Sequence, residues 1–183
     1  MSRVFATVCV LATLVYCTAP ASAQNAQPST RDLDRILGTW SFEDASAADN
    51  GASYRETGVR TCALALGDTY IRCESRGRSA KGTERTYLFY FNYNAVDRRY
   101  EMLSLHSSWS QTQRFELRIM PDGSWHVFRG AAPSADGRVS RSNWGVIRFP
   151  DADTMIWETR LNRADEPPDR WPLSFVDNAK RVR

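Results

Sequence analysis

The alternation of apolar and polar residues is the feature that most limits how this chain can fold. Phe115, Leu117 and Ile119 are separated by charged residues, which gives a strand one buried and one solvated face. The same period of two dominates from residue 37 onward, and turn residues such as Pro121-Asp122-Gly123 interrupt it at short intervals. The pattern predicts an all-β fold of about nine short antiparallel strands, arranged as a sandwich or a barrel.

The strand boundaries follow from the turn residues. We predict strands at Gly38–Ala45, Ser53–Leu66, 69–77, Tyr87–Tyr93, Arg98–Ser107, Phe115–Ile119, Ser124–Gly130, Val139–Phe149 and Thr154–Leu161. One short helix is expected at Thr30–Leu37, with Ser29 or Thr30 as its N-cap and Gly38 as its stop, and it would cover one end of the sheet. Ala164–Pro172 reads as a loop, and the charged tail 178–183 is expected to fray.

The first 23 residues have the pattern of a signal peptide. An uncharged apolar run from Val4 to Tyr16 precedes the small-x-small triplet Ala21-Ser22-Ala23, so cleavage is expected after Ala23. The run is shorter than the roughly 20 residues of a membrane anchor. The bulky Tyr16 disfavours acylation of Cys17. We therefore expect a periplasmic or secreted protein with a disordered lead-in at 24–31 and one barrel domain at 32–177.

The two cysteines outside the leader favour a disulfide. If Gly67-Asp68 is a two-residue turn, Cys62 lies directly opposite Cys73 on antiparallel strands, within reach of a disulfide. The alternative, a catalytic or metal-binding thiol pair, fits poorly because the spacing matches neither a CxxC motif nor a zinc knuckle. We therefore predict a cross-strand disulfide between Cys62 and Cys73.

The segment from Leu33 to Phe42 resembles the opening of the calycin superfamily, in which a short helix leads into a Gly-x-Trp motif, here Gly38-Thr39-Trp40. Tyr93–Tyr100 resembles the middle hairpin of small bacterial exported lipocalin-like proteins. The resemblance implies a single antiparallel up-and-down β-barrel of about 8–10 strands, with Gly38 and Trp40 closing one end. It also implies that a late basic residue packs over Trp40, and Arg160, Arg163 and Arg181 are equal candidates.

The barrel interior is the expected binding region. Aromatic residues on the predicted inner faces would line a pocket or fill the interior solidly, two outcomes that the sequence leaves equally open; these residues are Tyr87, Phe89, Phe91, Phe115 and Trp157. Glu56 and Arg60 share the face of Cys62 and would lie inside, near the mouth. There they would orient a polar head group or form a solvated pair at the rim.

The sequence carries no motif of catalytic or cofactor chemistry. Gly-x-Ser-x-Gly, His-Glu-x-x-His and phosphate-loop patterns do not occur, and His106 and His126 are expected to be structural rather than haem or metal ligands. We therefore expect no catalytic residues, no cofactor and no metal. The formal charge of +3 is too close to balance for a nucleic-acid partner, and a basic amphipathic helix for membrane binding is missing.

Three functions remain open. The leading hypothesis is an exported barrel that binds a small hydrophobic or amphipathic ligand. The second is a secreted protein-binding module, such as a hydrolase inhibitor, that acts through the lead-in 24–31 or the loops 45–52 and 131–137. Deleting 24–31 would separate the two, because only inhibition would be lost. The third is an isomerase or cyclase that uses Glu56 and Arg60. The oligomeric state is not indicated.

Overall fold

A computed structural model describes residues 27–46, 54–130, 132–133, 139–140, 142–162 and 166–183. The strands are β1 (Gly38–Ser46), β2 (Arg55–Ala65), β3 (Tyr70–Ser79), β4 (Glu84–Asn94), β5 (Arg99–His106), β6 (Trp109–Ile119), β7 (Trp125–Arg129), β8 (Ala132–Pro133), β9 (Val139–Ser140), β10 (Asn143–Asp151), β11 (Thr154–Leu161) and β12 (Leu173–Arg181). Two 3-10 helices lie at Thr30–Ile36 and Pro168–Arg170. In this part of the chain, no helix is long and apolar enough to cross a membrane.

Ten of these strands form one closed antiparallel barrel. Each strand pairs with the strands before and after it in the chain, with β7 next to β10, and β12 returns to pair with β1. The short strands β8 and β9 pair only with each other. The prediction of an all-β up-and-down barrel with a short N-terminal helix is therefore confirmed. The predicted strand Val139–Phe149 is divided between β9 and β10, and the sequence did not predict β12.

The 3-10 helix closes the end of the barrel where β1 begins, which we call the closed end. Ser29 caps the helix, and its backbone N–H donates to Asp32 Oδ2 at 2.7 Å. The side chains of Leu33 and Ile36, which belong to this helix, are fully buried. Trp40 Nε1 donates to the carbonyl of Ile36 at 2.8 Å, which fixes the indole to the helix.

Arg181 is the basic residue that packs over Trp40. Its guanidinium carbon lies 4.1 Å from the indole centroid, and the side chain donates to the carbonyls of Leu37, Arg35 (3.1 Å) and Ala152 (3.0 Å). Gly38 has φ +111°, and a Cβ there would lie 2.5 Å from Arg181 Nη1. A glycine is therefore required where the guanidinium crosses the start of β1.

The other candidates for closure are placed differently. Arg160 donates to the carbonyl of Trp171 at 3.0 Å, away from Trp40, and Arg163 lies outside the described residues.

Two predicted boundaries differ from the structure. Residues 178–181 belong to β12 and pair with β1, because Ala179 is buried and Arg181 is held at the closed end, so the expectation of a fraying tail is wrong there. At the other terminus, Thr30 and Arg31 are helical rather than part of a disordered lead-in, since Thr30 Oγ1 donates to the carbonyl of Thr69 at 2.9 Å. The predicted leader lies outside the described residues. The predicted loop Ala164–Pro172 contains the second 3-10 helix.

The disulfide between Cys62 and Cys73 is present, as predicted. The two residues are direct partners across β2 and β3, with Cα atoms 4.0 Å apart. Gly67 and Asp68 form the turn, and their φ angles of 64° and 65° have the positive sign that a type I′ hairpin requires at both central positions.

Closely packed side chains fill the half of the barrel near the closed end. The buried core there includes Trp40, Ile71, Phe91, Leu117, Trp125 and Met155. The half near the opposite end, which we call the open end, is arranged differently.

Candidate functional site

A cavity of about 700 Å³ occupies the open half of the barrel. Its volume is within the usual range of small-molecule sites. Inward-facing residues from every barrel strand except β3 contribute to it, and its apolar wall includes Phe42, Phe89, Met102, Phe115, Val127 and Trp157. Hence the question left open by the sequence has a divided answer: the interior is filled at one end and hollow at the other.

A layer of three aromatic rings and one arginine separates the cavity from the filled core. The guanidinium carbon of Arg60 lies 5.2 Å from the ring centroid of Phe42 and 5.7 Å from those of Phe89 and Trp157. Arg60 is only 3% exposed. Its Nε donates to Ser75 Oγ at 2.8 Å, and its Nη2 donates to a carboxylate oxygen of Asp177. The buried charge is therefore neutralised by an ion pair and stabilised by contact with aromatic faces.

Three carboxylates lie side by side on one wall of the cavity. Asp44 on β1 is the direct partner of Asp177 on β12 and of Glu56 on β2. Directly opposed residues in a sheet point to the same face, so all three side chains extend toward the interior. Like charges on adjacent strands repel one another, and each one needs a counter-ion to be stable when buried.

Glu56 has several partners. Arg85 Nη1 lies 3.1 Å from Glu56 Oε2, the Tyr87 hydroxyl donates to the same oxygen at 3.2 Å, and the Tyr54 hydroxyl also donates to it. Burial, above all, raises the pKa of both tyrosines, so both hydroxyls stay protonated as donors. A Cβ at Gly77 would lie 2.0 Å from Glu56 Oε1, so the carboxylate occupies space that only glycine leaves open.

Asp44 differs from its two neighbours because no arginine is paired with it. Its Oδ1 is buried without a hydrogen-bond partner, and the ion pairs of the described residues on this wall go to Asp177 and Glu56 instead. Burial, the largest cause, and the charges of Asp177 and Glu56 together raise the pKa of Asp44 to about 7, against the opposing effect of Arg60 and Arg85. Asp44 lines the cavity.

The histidines do not form a metal site in the part of the chain that the structure describes. His106 lines the cavity and packs edge-on against Tyr87, with ring centroids 4.3 Å apart, and its Nδ1 accepts the backbone N–H of Ser108 at 2.9 Å. Burial lowers the pKa of His106 and of His126, whose ring packs against Trp144 at 5.3 Å. No group of three or more metal-binding side chains is found among these residues.

The structure brings most of the predicted ligand-binding residues to the cavity. Tyr87, Phe89, Phe115, Trp157 and Arg60 line it.

Two of the predicted residues lie elsewhere. Phe91 does not line the cavity, because it lies two residues beyond Phe89 on β4, closer to the closed end. There the centroid of its ring lies 6.3 Å from that of Trp125. Glu56 lies in the wall behind Tyr54 and Tyr87 rather than at a solvated rim, and it is only 1% exposed.

Several polar residues that line the cavity were not among the predicted site residues, namely Asp44, Tyr54, Arg85 and Asp177. One available signal was the alternation Trp40, Phe42, Asp44, which places an acid on the inner face of β1. The loops proposed for protein binding, 45–52 and 131–137, fall mostly outside the described residues.

The chain belongs to a protein family of unknown function, DUF1579, whose model matches residues 25–170. Curated proteins give no match. Among solved structures, the S-type phycobiliprotein lyase CPES from Guillardia theta is similar, with a TM-score of 0.58 and 11% identity over 86% of this chain and 94% of that one. Rv2717c from M. tuberculosis has a TM-score of 0.57 and 16% identity, over 84% and 96%. At these identities the likeness shows a shared lipocalin-like barrel fold.

Proposed function

We propose that this protein binds a small amphipathic molecule inside its barrel. The observation that carries the proposal is the cavity of about 700 Å³ with an aromatic wall, which opens above a fully packed core. A barrel of this size can be filled by side chains, so a hollow half lined by Phe89, Phe115 and Trp157 is space available to a ligand. The shared fold alone would not carry this conclusion, because one fold serves many functions.

The division of the wall determines how such a ligand lies. An apolar body gains roughly 25 cal/mol for each Å² that it buries, and the apolar surface lies deepest, around Phe89 and Trp157. Asp44 lies closer to the open end than this apolar surface, since it follows Phe42 on the inner face of β1. We infer that the apolar part enters first and that the polar head group stays at the level of Asp44.

The experiment measures binding of the neutral hydrophobic fluorophore N-phenyl-1-naphthylamine. Wild-type protein should raise its fluorescence saturably, with one molecule bound per chain. Ser104→Trp places a large ring in the cavity and should weaken binding at least tenfold. The matched control is Leu103→Trp, because Leu103 precedes Ser104 on the same strand and its side chain points away from the cavity. Equal binding by wild type and Ser104→Trp, or no binding by wild type, would refute the proposal.

The same proposal places the protein with the exported lipocalin-like members of the calycin superfamily. Gly38-Thr39-Trp40, closed by the guanidinium of Arg181, supports the superfamily. The disulfide supports an oxidising compartment, the periplasm or the medium. Mass analysis of the protein recovered from the periplasm or medium should give an N-terminus at Gln24; an intact leader on protein confined to the cytoplasm would contradict export.

A further inference from the structure

The charges on the carboxylate wall do not balance. Asp177 is paired with Arg60, and Glu56 is paired with Arg85. Asp44 lies between the two acids in the sheet and has no ion pair of its own on this wall. The wall therefore carries one carboxylate more than it has guanidinium groups to neutralise it.

We propose that Asp44 is the counter-ion for a positively charged head group, so that the ligand of this cavity is an amphipathic amine. This inference rests on the proposed function and specifies its ligand class. A primary ammonium has N–H donors and one positive charge, which complement the unpaired carboxylate of Asp44. Among the residues that line the cavity, Asp44 Oδ1 and Asp177 Oδ1 are carboxylate oxygens without hydrogen-bond partners, whereas Glu56 Oε1 faces Gly77 in the wall.

The arginines of the same wall do not favour an anionic head group. Arg60 already donates to Ser75 and Asp177, and three aromatic rings surround it, which leaves Nη1 as its remaining donor without a partner. Any anion that reached this nitrogen would also approach Asp177 and Asp44. Arg85 donates to Glu56 and to the Tyr54 hydroxyl. Arg129 lies on β7, four strands away from β1 around the barrel.

The position of Asp44 also suits the expected direction of the ligand. Phe42 is the next inward residue toward the closed end, and it contacts the Arg60 layer that forms the bottom of the cavity. An ammonium at Asp44 would therefore leave the alkyl chain beside Phe42, Phe89 and Trp157. Removal of water from this half of the barrel would strengthen the ion pair, because the local dielectric constant falls.

Proton linkage provides a second readout. Asp44 faces Asp177 on β12, Glu56 and Arg60 on β2, and Arg85 on β4, and its pKa is about 7 in the unliganded protein. An ammonium binds the ionised carboxylate, so binding should strengthen as the pH rises through this value. The ionised fraction of a group with a pKa of 7 grows roughly tenfold between pH 6 and pH 8. Affinity for an alkylamine, whose own charge is constant there, should rise by about the same factor.

The test compares three ligands that have the same twelve-carbon chain length and differ in their head group, namely dodecylamine, dodecanoate and dodecanol. Each competes with N-phenyl-1-naphthylamine at pH 8, below its micellar concentration. Dodecylamine should bind wild-type protein at least tenfold more tightly than dodecanoate. The variant Asp44→Asn should lose this preference and the pH dependence. The matched control is Glu43→Gln, because Glu43 is the adjacent, outward-facing acid, paired with Arg55 at 3.3 Å; it should behave as wild type.

The possible outcomes distinguish a failure of the cationic ligand class from a failure of the proposed ligand-binding function. Tighter binding of dodecanoate than of dodecylamine, or an amine preference that persists in Asp44→Asn, overturns the cationic ligand class and leaves ligand binding intact. Failure of wild type to bind the fluorophore or any competitor overturns the proposed function itself, and the ligand class with it. Asp44→Asn removes an unpaired buried charge, so the variant is expected to fold.

Discussion

Replacing Asp44 by asparagine should stabilise the ligand-free protein at neutral and alkaline pH. An aspartate ionises near 3.8 in the unfolded chain, whereas burial and the neighbouring carboxylates raise the pKa of Asp44 to about 7 in the barrel. Between these values the folded state binds the extra proton, so the stability contributed at this site falls as the pH rises. The gap corresponds to roughly 4 kcal/mol, and water in the open cavity reduces the expected loss to about 2–4 kcal/mol above pH 7.

Urea unfolding followed by tryptophan fluorescence, with the disulfide intact, measures this difference. At pH 4 the free energies of unfolding of wild type and Asp44→Asn should agree within about 1 kcal/mol, because the carboxyl group is protonated in the folded state. At pH 8 the variant should be more stable by about 2–4 kcal/mol. Glu43→Gln should show no such growth with pH. A difference between Asp44→Asn and wild type that is constant or shrinks as the pH rises would refute the reasoning.

Two further predictions concern the closed end. Arg181→Ala removes the guanidinium over Trp40 and its donors to three carbonyls, so the free energy of unfolding should fall by about 2–3 kcal/mol. The control in the same urea titration is Arg183→Ala, at an exposed residue, which should change the free energy of unfolding by less than about 0.5 kcal/mol. Equal effects of the two substitutions would contradict the assignment of Arg181 to the closed end. Reducing the Cys62–Cys73 disulfide should lower the free energy of unfolding by about 2–3 kcal/mol, since its closed loop is short; an unchanged urea midpoint after complete reduction would contradict that estimate.

The division of the interior gives the two ends of the barrel different tasks. The closed end stabilises the fold through the apolar area that it buries, which includes the side chains of Trp40, Phe91 and Trp125. The open half contains most of the buried charge, which weakens the fold unless it is paired. The carboxylate of Asp44, which has no arginine of its own, lowers the free energy of unfolding when it is ionised. Binding of a cationic ligand would recover this stability.

Phe89 and Phe91 on β4 show what the alternation of apolar and polar residues can and cannot predict. Phe89 and Phe91 both point inward, as expected from the alternation on β4. Phe89 borders the cavity, whereas Phe91 lies in the packed core, and only the positions of the facing strands distinguish them. Alternation specifies the face of a strand but not the depth at which a side chain meets the others.

What the sequence determined by itself was the local structure. The alternation and the turn residues specified hairpins, and the turn at Gly67-Asp68 set the register that places Cys62 opposite Cys73, because hairpin register depends on turn geometry. Only the tertiary structure decided which arginine closes the end, that β12 completes the barrel, and that Asp44 lies between Asp177 and Glu56. These contacts join residues far apart in the chain. They depend on the stagger of all ten strands around the barrel, which no single segment encodes.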